Sequence, residues 1–169
     1  QKTKNGTGYL THLSLKNSVI YRGIDFTNHT KINAILNNPQ YTCFLLYPSD
    51  NSINLDTQTL NKSDKTNVIF IIDSTWPCSR SILKSSSNIN NLPKVSFSYK
   101  GASNYQIKTQ PNEYCLSTIE STQYILKLLT NQNIESLTNN QLDNFLHPFH
   151  KMVSYQVECA KSTNGGAIR

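Results

Sequence analysis

"NVIFIIDSTWP", residues 67–77, sets five consecutive apolar residues against an aspartate, two hydroxyls and the only tryptophan of the chain. An apolar run without polar alternation suits a strand buried on both faces, as in a parallel sheet covered by helices. Ser74 or Thr75 is placed to cap a helix, and Pro77 suits a first helical position, where a missing N–H costs nothing. The stretch therefore predicts a strand, a tight turn and a helix start in succession, with Asp73 at the strand's carboxyl end. Open α/β sheets place their ligand crevice outside such ends. Taken alone, Asp73 is open to three uses: helix cap, ribose-binding acid or catalytic base.

Outward from this stretch the pattern alternates. "SVIYRG" (18–23), "YTCFLLYP" (41–48) and "KVSFSY" (94–99) join "NVIFIID" (67–73) as short runs rich in β-branched and aromatic residues, bounded by Asn, Pro, Asp or Gly. Helices are predicted over 7–16, 30–37, 77–84 and 118–129, the last opened by a capping-box pattern in "STIE" (117–120) and carrying an apolar stripe of Ile119, Tyr124, Ile125, Leu128 and Leu129. A further helix is predicted over 140–158, kinked or interrupted by Pro148. Residues 49–66 read as a polar connector with room for one short helix, and the tail "STNGGAIR" as flexible. This alternation predicts an α/β layer structure in a single domain spanning 1–169.

Sixteen Lys and Arg against ten Asp and Glu give a formal charge of +6, so the surface field draws anions, as suits a polyanion partner or simply a soluble basic protein. Cys43, Cys78, Cys115 and Cys159 form no C-x-x-C pair and no Cys/His couplet at ligand spacing, so no metal is expected. No apolar run approaches the roughly 20 residues that span a bilayer. The first residues lack a signal peptide's apolar region. A cytoplasmic protein with reduced thiols is expected. The first residue is Gln, which reads as a fragment or a trimmed chain. The histidines His12, His29, His147 and His150 show no partner at useful spacing and carry no expectation.

Asp73-Ser74-Thr75-Trp76 resembles the Asp-x-Thr-Trp signature of DTW-domain proteins, the tRNA-uridine aminocarboxypropyltransferases. Company in the same order extends the resemblance over nearly the whole chain: "KTKNGTGYL" (2–10), "LLYPSD" (45–50), "LPKVSF" (92–97), "SNYQIKTQP" (103–111), "CLSTIES" (115–121) and "MVSYQ" (152–156). Two departures stand out. Asn5-Gly6-Thr7-Gly8 replaces the family's Asn-Thr-Gly, and Lys108 stands where arginine is usual, keeping the charge but not the bidentate fork. The family's upstream cysteine-rich stretch and first strand, ending near a His-Pro pair, have no counterpart here.

The resemblance implies a SPOUT-like α/β fold, a mostly parallel sheet with helices on both faces and a knotted C-terminal part. It implies S-adenosylmethionine as donor of a 3-amino-3-carboxypropyl group to N3 of a tRNA uridine, with methylthioadenosine released. Catalytic candidates are then Asp73, as the base that takes the N3 proton, with Thr75 and Trp76. Trp76 either packs beneath the turn or stacks on a base. Tyr47, Pro48, Ser49, Phe97, Leu116, Ser117 and Thr118 are the expected donor-binding residues; Ser117 and Thr118 are equally suited to capping a helix. Arg22, Arg80, Lys84 and Lys108, with Lys2 and Lys4, are the expected phosphate contacts. The rival classes are a SPOUT-type RNA methyltransferase and a non-catalytic RNA-binding module.

Overall fold

The structure, a computed structural model, describes residues 6–99, 101, 103 and 116–163. Lys2, Lys4, Lys108 and Cys115 lie outside the described residues. In chain order the elements are α1 (Thr7–Ser14), α2 (Thr30–Leu36), β1 (Tyr41–Leu46), β2 (Ile53–Asn54), β3 (Thr66–Ile71), α3 (Trp76–Ser85), α4 (Ser87–Asn90), β4 (Lys94–Ser96), α5 (Thr118–Asn131), α6 (Asn139–Phe145) and α7 (His147–Thr163). They fall into two compact units, one of residues 21–98 and one joining 1–20 to 99–169.

The unit of residues 21–98 is built on a four-stranded sheet of order β2-β4-β1-β3. Every pairing in it is parallel, with Cys43 opposite Val68 and Leu45 opposite Phe70. Leu45, fully buried in the central strand, packs with Phe26, Ile32, Leu83 and Ile89 from the flanking loop, α2, α3 and α4. Leu46 of β1 and Ile53 of β2 both stand opposite Val95 of β4, on its two sides. The chain between them, residues 47–52, must therefore arch across the carboxyl end of β4. Ser52 closes that arch by donating to the Ser49 carbonyl at 2.7 Å, and its hydroxyl shares a hydrogen bond with Ser96 at 2.8 Å.

Three sequence expectations are corrected here. "VIFII" is half-buried, because β3 forms the outermost strand of the described sheet and pairs on one side alone. "SVIYRG" forms no strand: Val19 is 67% exposed and Ile20 41%. High β-propensity is insufficient without a partner strand. The connector holds a strand, β2, in place of the short helix.

In the other unit α1, α5, α6 and α7 bury Ile119, Phe145, Phe149 and Val153 as a common core, with Leu10, Leu15, Leu126 and Met152 against it. The helix expected over 140–158 is two helices meeting at Leu146. Pro148 sits in the first turn of α7, where no intrahelical N–H is lost, so it ends one helix and admits the next. Thr138 and Gln141 supply a capping box for α6.

Candidate active site

Because all four strands are parallel, their carboxyl ends share one edge of the sheet. That edge gathers Tyr47-Pro48-Ser49 after β1, Asp73 after β3 and Phe97 after β4, each leaving a strand paired to its neighbour. Pro48, Ser49 and Phe97 line an open cleft of about 530 Å3 with Asp50, Ser52, Asn54, Ser96 and Ser98. Asn54 donates from its amide to Ser98 Oγ at 2.7 Å, and the Ser98 N–H donates to Asp56 at 2.7 Å. The lining is thus two apolar surfaces, Pro48 and Phe97, set among hydroxyls, an amide and the Asp50 carboxylate, which suits a ligand with a flat apolar part and polar edges.

Asp73 is exposed, two residues past the last paired residue of β3. Behind it the chain turns into α3 with Thr75 at the N-cap position, Trp76 first and Pro77 second in the helix. Thr75, at the N-cap position, makes no side-chain cap. The turn is held from inside the helix instead. Ser79, buried in the first turn, donates its backbone N–H and its hydroxyl to the Thr75 carbonyl at 2.8 and 3.0 Å, and Ser79 Oγ lies 3.0 Å from Ser74 Oγ. Trp76 is 40% exposed and meets Tyr47 edge-to-face at 5.8 Å. It is therefore not core, and it joins the β1 end to the start of α3.

Leu116, Ser117 and Thr118 lie in the other unit, at the start of α5. Ser117 is buried, and its N–H and hydroxyl both donate to Glu120, at 2.9 and 2.6 Å. A third donor, the Ser103 hydroxyl, reaches the same carboxylate oxygen at 2.8 Å. The capping-box pattern of "STIE" is thereby realised, and the Ser117 hydroxyl is engaged in it. Arg80 and Lys84, both exposed, are one turn apart on α3, and Arg22 is exposed in the loop before α2.

Ser52, Asn54, Ser96, Ser98 and Ser79 were absent from the sequence expectations. A signal for the first four existed: "SINLD" (52–56) and "VSFS" (95–98) alternate polar and apolar residues with strand period. Ser79 had none, since its role comes from the turn it closes. Among the described residues no cluster of His, Cys, Asp or Glu is arranged to hold a metal, and no helix is long and apolar enough to cross a membrane.

The family model for the DTW domain matches residues 1–157. The chain is 34% identical over 143 residues to tRNA-uridine aminocarboxypropyltransferase 2 of Drosophila melanogaster, covering 83% of this chain and 53% of that protein. It is 30% identical over 115 residues to the Mus musculus protein of the same name, and 29% identical over 114 residues to that of Macaca fascicularis, covering 68% of this chain and 36% of the relative in both cases. The chain thus spans about half the length of the insect relative and about a third of the mammalian ones. No solved structure matches it.

Proposed function

Since the chain belongs to the DTW-domain family, we propose that it is the DTW domain of a cytoplasmic tRNA-uridine aminocarboxypropyltransferase, with both compact units parts of that one domain. The substrate is a tRNA uridine, and the group moved to its N3 is the 3-amino-3-carboxypropyl group of S-adenosylmethionine. One observation carries this assignment furthest: the parallel sheet brings the carboxylate of the Asp-x-Thr-Trp signature to the same edge as an open cleft lined by Pro48, Ser49 and Phe97. The SPOUT-like knot belongs to the same proposal. The stretch 104–115, on which it would turn, lies outside the described residues.

The cleft fits the adenosine part of such a donor. Its volume of about 530 Å3 falls within the roughly 300–1,000 Å3 of small-molecule sites. Pro48 and Phe97 offer faces for a purine, and Ser49, Ser52, Asn54 and Ser98 offer hydroxyls and an amide for ribose and ring edges. When bound, the donor supplies an electrophilic carbon beside a sulfonium. Asp73 then removes the proton from uridine N3 as the nitrogen–carbon bond forms and the carbon–sulfur bond breaks, the electron pair leaving with methylthioadenosine. Trp76 and Tyr47 hold the turn that positions Asp73, and holding base and acceptor in line lowers the barrier further. Arg22, Arg80, Lys84 and Lys108 contact tRNA phosphates.

The test is a reaction of the full-length protein with S-adenosylmethionine and unmodified tRNA, read by mass spectrometry of the nucleosides. A 3-amino-3-carboxypropyl uridine together with methylthioadenosine is expected. A methylated nucleoside would make the protein a methyltransferase instead, and tRNA binding with no adduct would make it a binding module.

A further inference from the structure

The helix α7 has two unlike faces. Phe149 and Val153 are buried in the core of their unit, with Met152 and Val157 packed beside them. His147, His150, Lys151, Ser154, Tyr155 and Glu158 are exposed and line one open groove of about 520 Å3. Their spacing of three and four residues makes a single stripe along three helical turns.

The stripe is chemically graded. Its N-terminal end holds His147, His150 and Lys151, and no acidic residue stands in the first turn, so side-chain donors add to the positive end of the helix dipole. Its one carboxylate, Glu158, lies eleven residues from His147, about 16 Å along the axis. Between them stands Tyr155, a large ring that is 67% exposed. Its hydrogen bond with the Cys159 side chain pushes its ionisation above the ordinary tyrosine range. A neutral exposed ring about 6 Å along the helix from a lysine is the pairing that takes a base and its phosphate. A lipid surface would need an apolar stripe, and this one has a single aromatic.

Resting on the tRNA reading above, we propose that this stripe is an RNA-binding surface: an unpaired nucleotide stacks on Tyr155 while His147, His150 and Lys151 hold the adjoining phosphates. Its residues are other than Arg80 and Lys84, which belong to the other unit.

The experiment measures the affinity of the full-length protein for unmodified tRNA by fluorescence anisotropy across a salt series, with melting temperature and sedimentation on the same samples. Tyr155→Ala is expected to weaken binding roughly 5- to 150-fold, the scale of one lost base stack, while Tyr155→Phe retains affinity and both melt as the wild type. Replacing His147, His150 and Lys151 by Ala is expected to make the salt dependence shallower. Wild-type affinity in Tyr155→Ala overturns the inference alone, provided the wild type binds tRNA. Absence of tRNA binding by the wild type overturns both this inference and the functional reading. Loss of affinity in Tyr155→Phe as well overturns the stacking role, and a wild-type dimer that Tyr155→Ala dissociates makes the stripe a contact between copies instead.

Discussion

Replacing Asp73 by Asn keeps the side chain's shape and hydrogen-bonding reach and removes the proton acceptor. Asp73 is exposed, beyond the last paired residue of β3, so the folding free energy should change by no more than about 0.5 kcal/mol, as for other surface substitutions. The turn itself depends on Ser79, whose two hydrogen bonds to the Thr75 carbonyl the change leaves in place. Loss of a general base slows the reaction on the order of 100-fold, equivalent to about 2.7 kcal/mol of barrier. The predicted signature is therefore a rate effect several times larger than the stability effect. Single-turnover transfer to tRNA and the melting temperature, measured on one preparation of the full-length protein, give both quantities. A variant that melts early but keeps its turnover per folded molecule would make Asp73 a support of the turn. One that is stable and fully active would refute the base assignment outright.

Replacing Arg80 and Lys84 together should weaken tRNA binding for all sequences and make the slope of log affinity against log salt shallower by roughly 1.5, two phosphate contacts' worth; an unchanged slope would place the RNA elsewhere. Glu120→Ala strips the shared acceptor from Ser117 N–H, Ser117 Oγ and Ser103 Oγ and should cost about 1–3 kcal/mol in urea unfolding, whereas a free surface cap would cost less. Burial raises the Cys43 thiol above its ordinary range, so with less thiolate at pH 8 it should alkylate more slowly than exposed Cys78, as peptide mass spectrometry of quenched samples would show.

The sequence alone was enough for the elements whose signals are local. "YTCFLLYP" and "NVIFIID" became β1 and β3, and Ser117 with Glu120 capped α5, because strand propensity and capping chemistry act over a few neighbouring residues. The same local signals placed Asp73, Tyr47 and Phe97 at carboxyl strand ends. They failed for "SVIYRG", whose propensity found no partner, while at Pro148 they left kink and interruption open, and the structure interrupts the helix there. Only the tertiary structure decided that β4 lies between β1 and β2, that residues 47–52 arch over its end, and that Ser52, Asn54, Ser96 and Ser98 line one cleft. Strand order and register are set by side chains meeting across tens of residues of chain, Leu46 and Ile53 against Val95, and no window along the sequence contains both sides of such a contact.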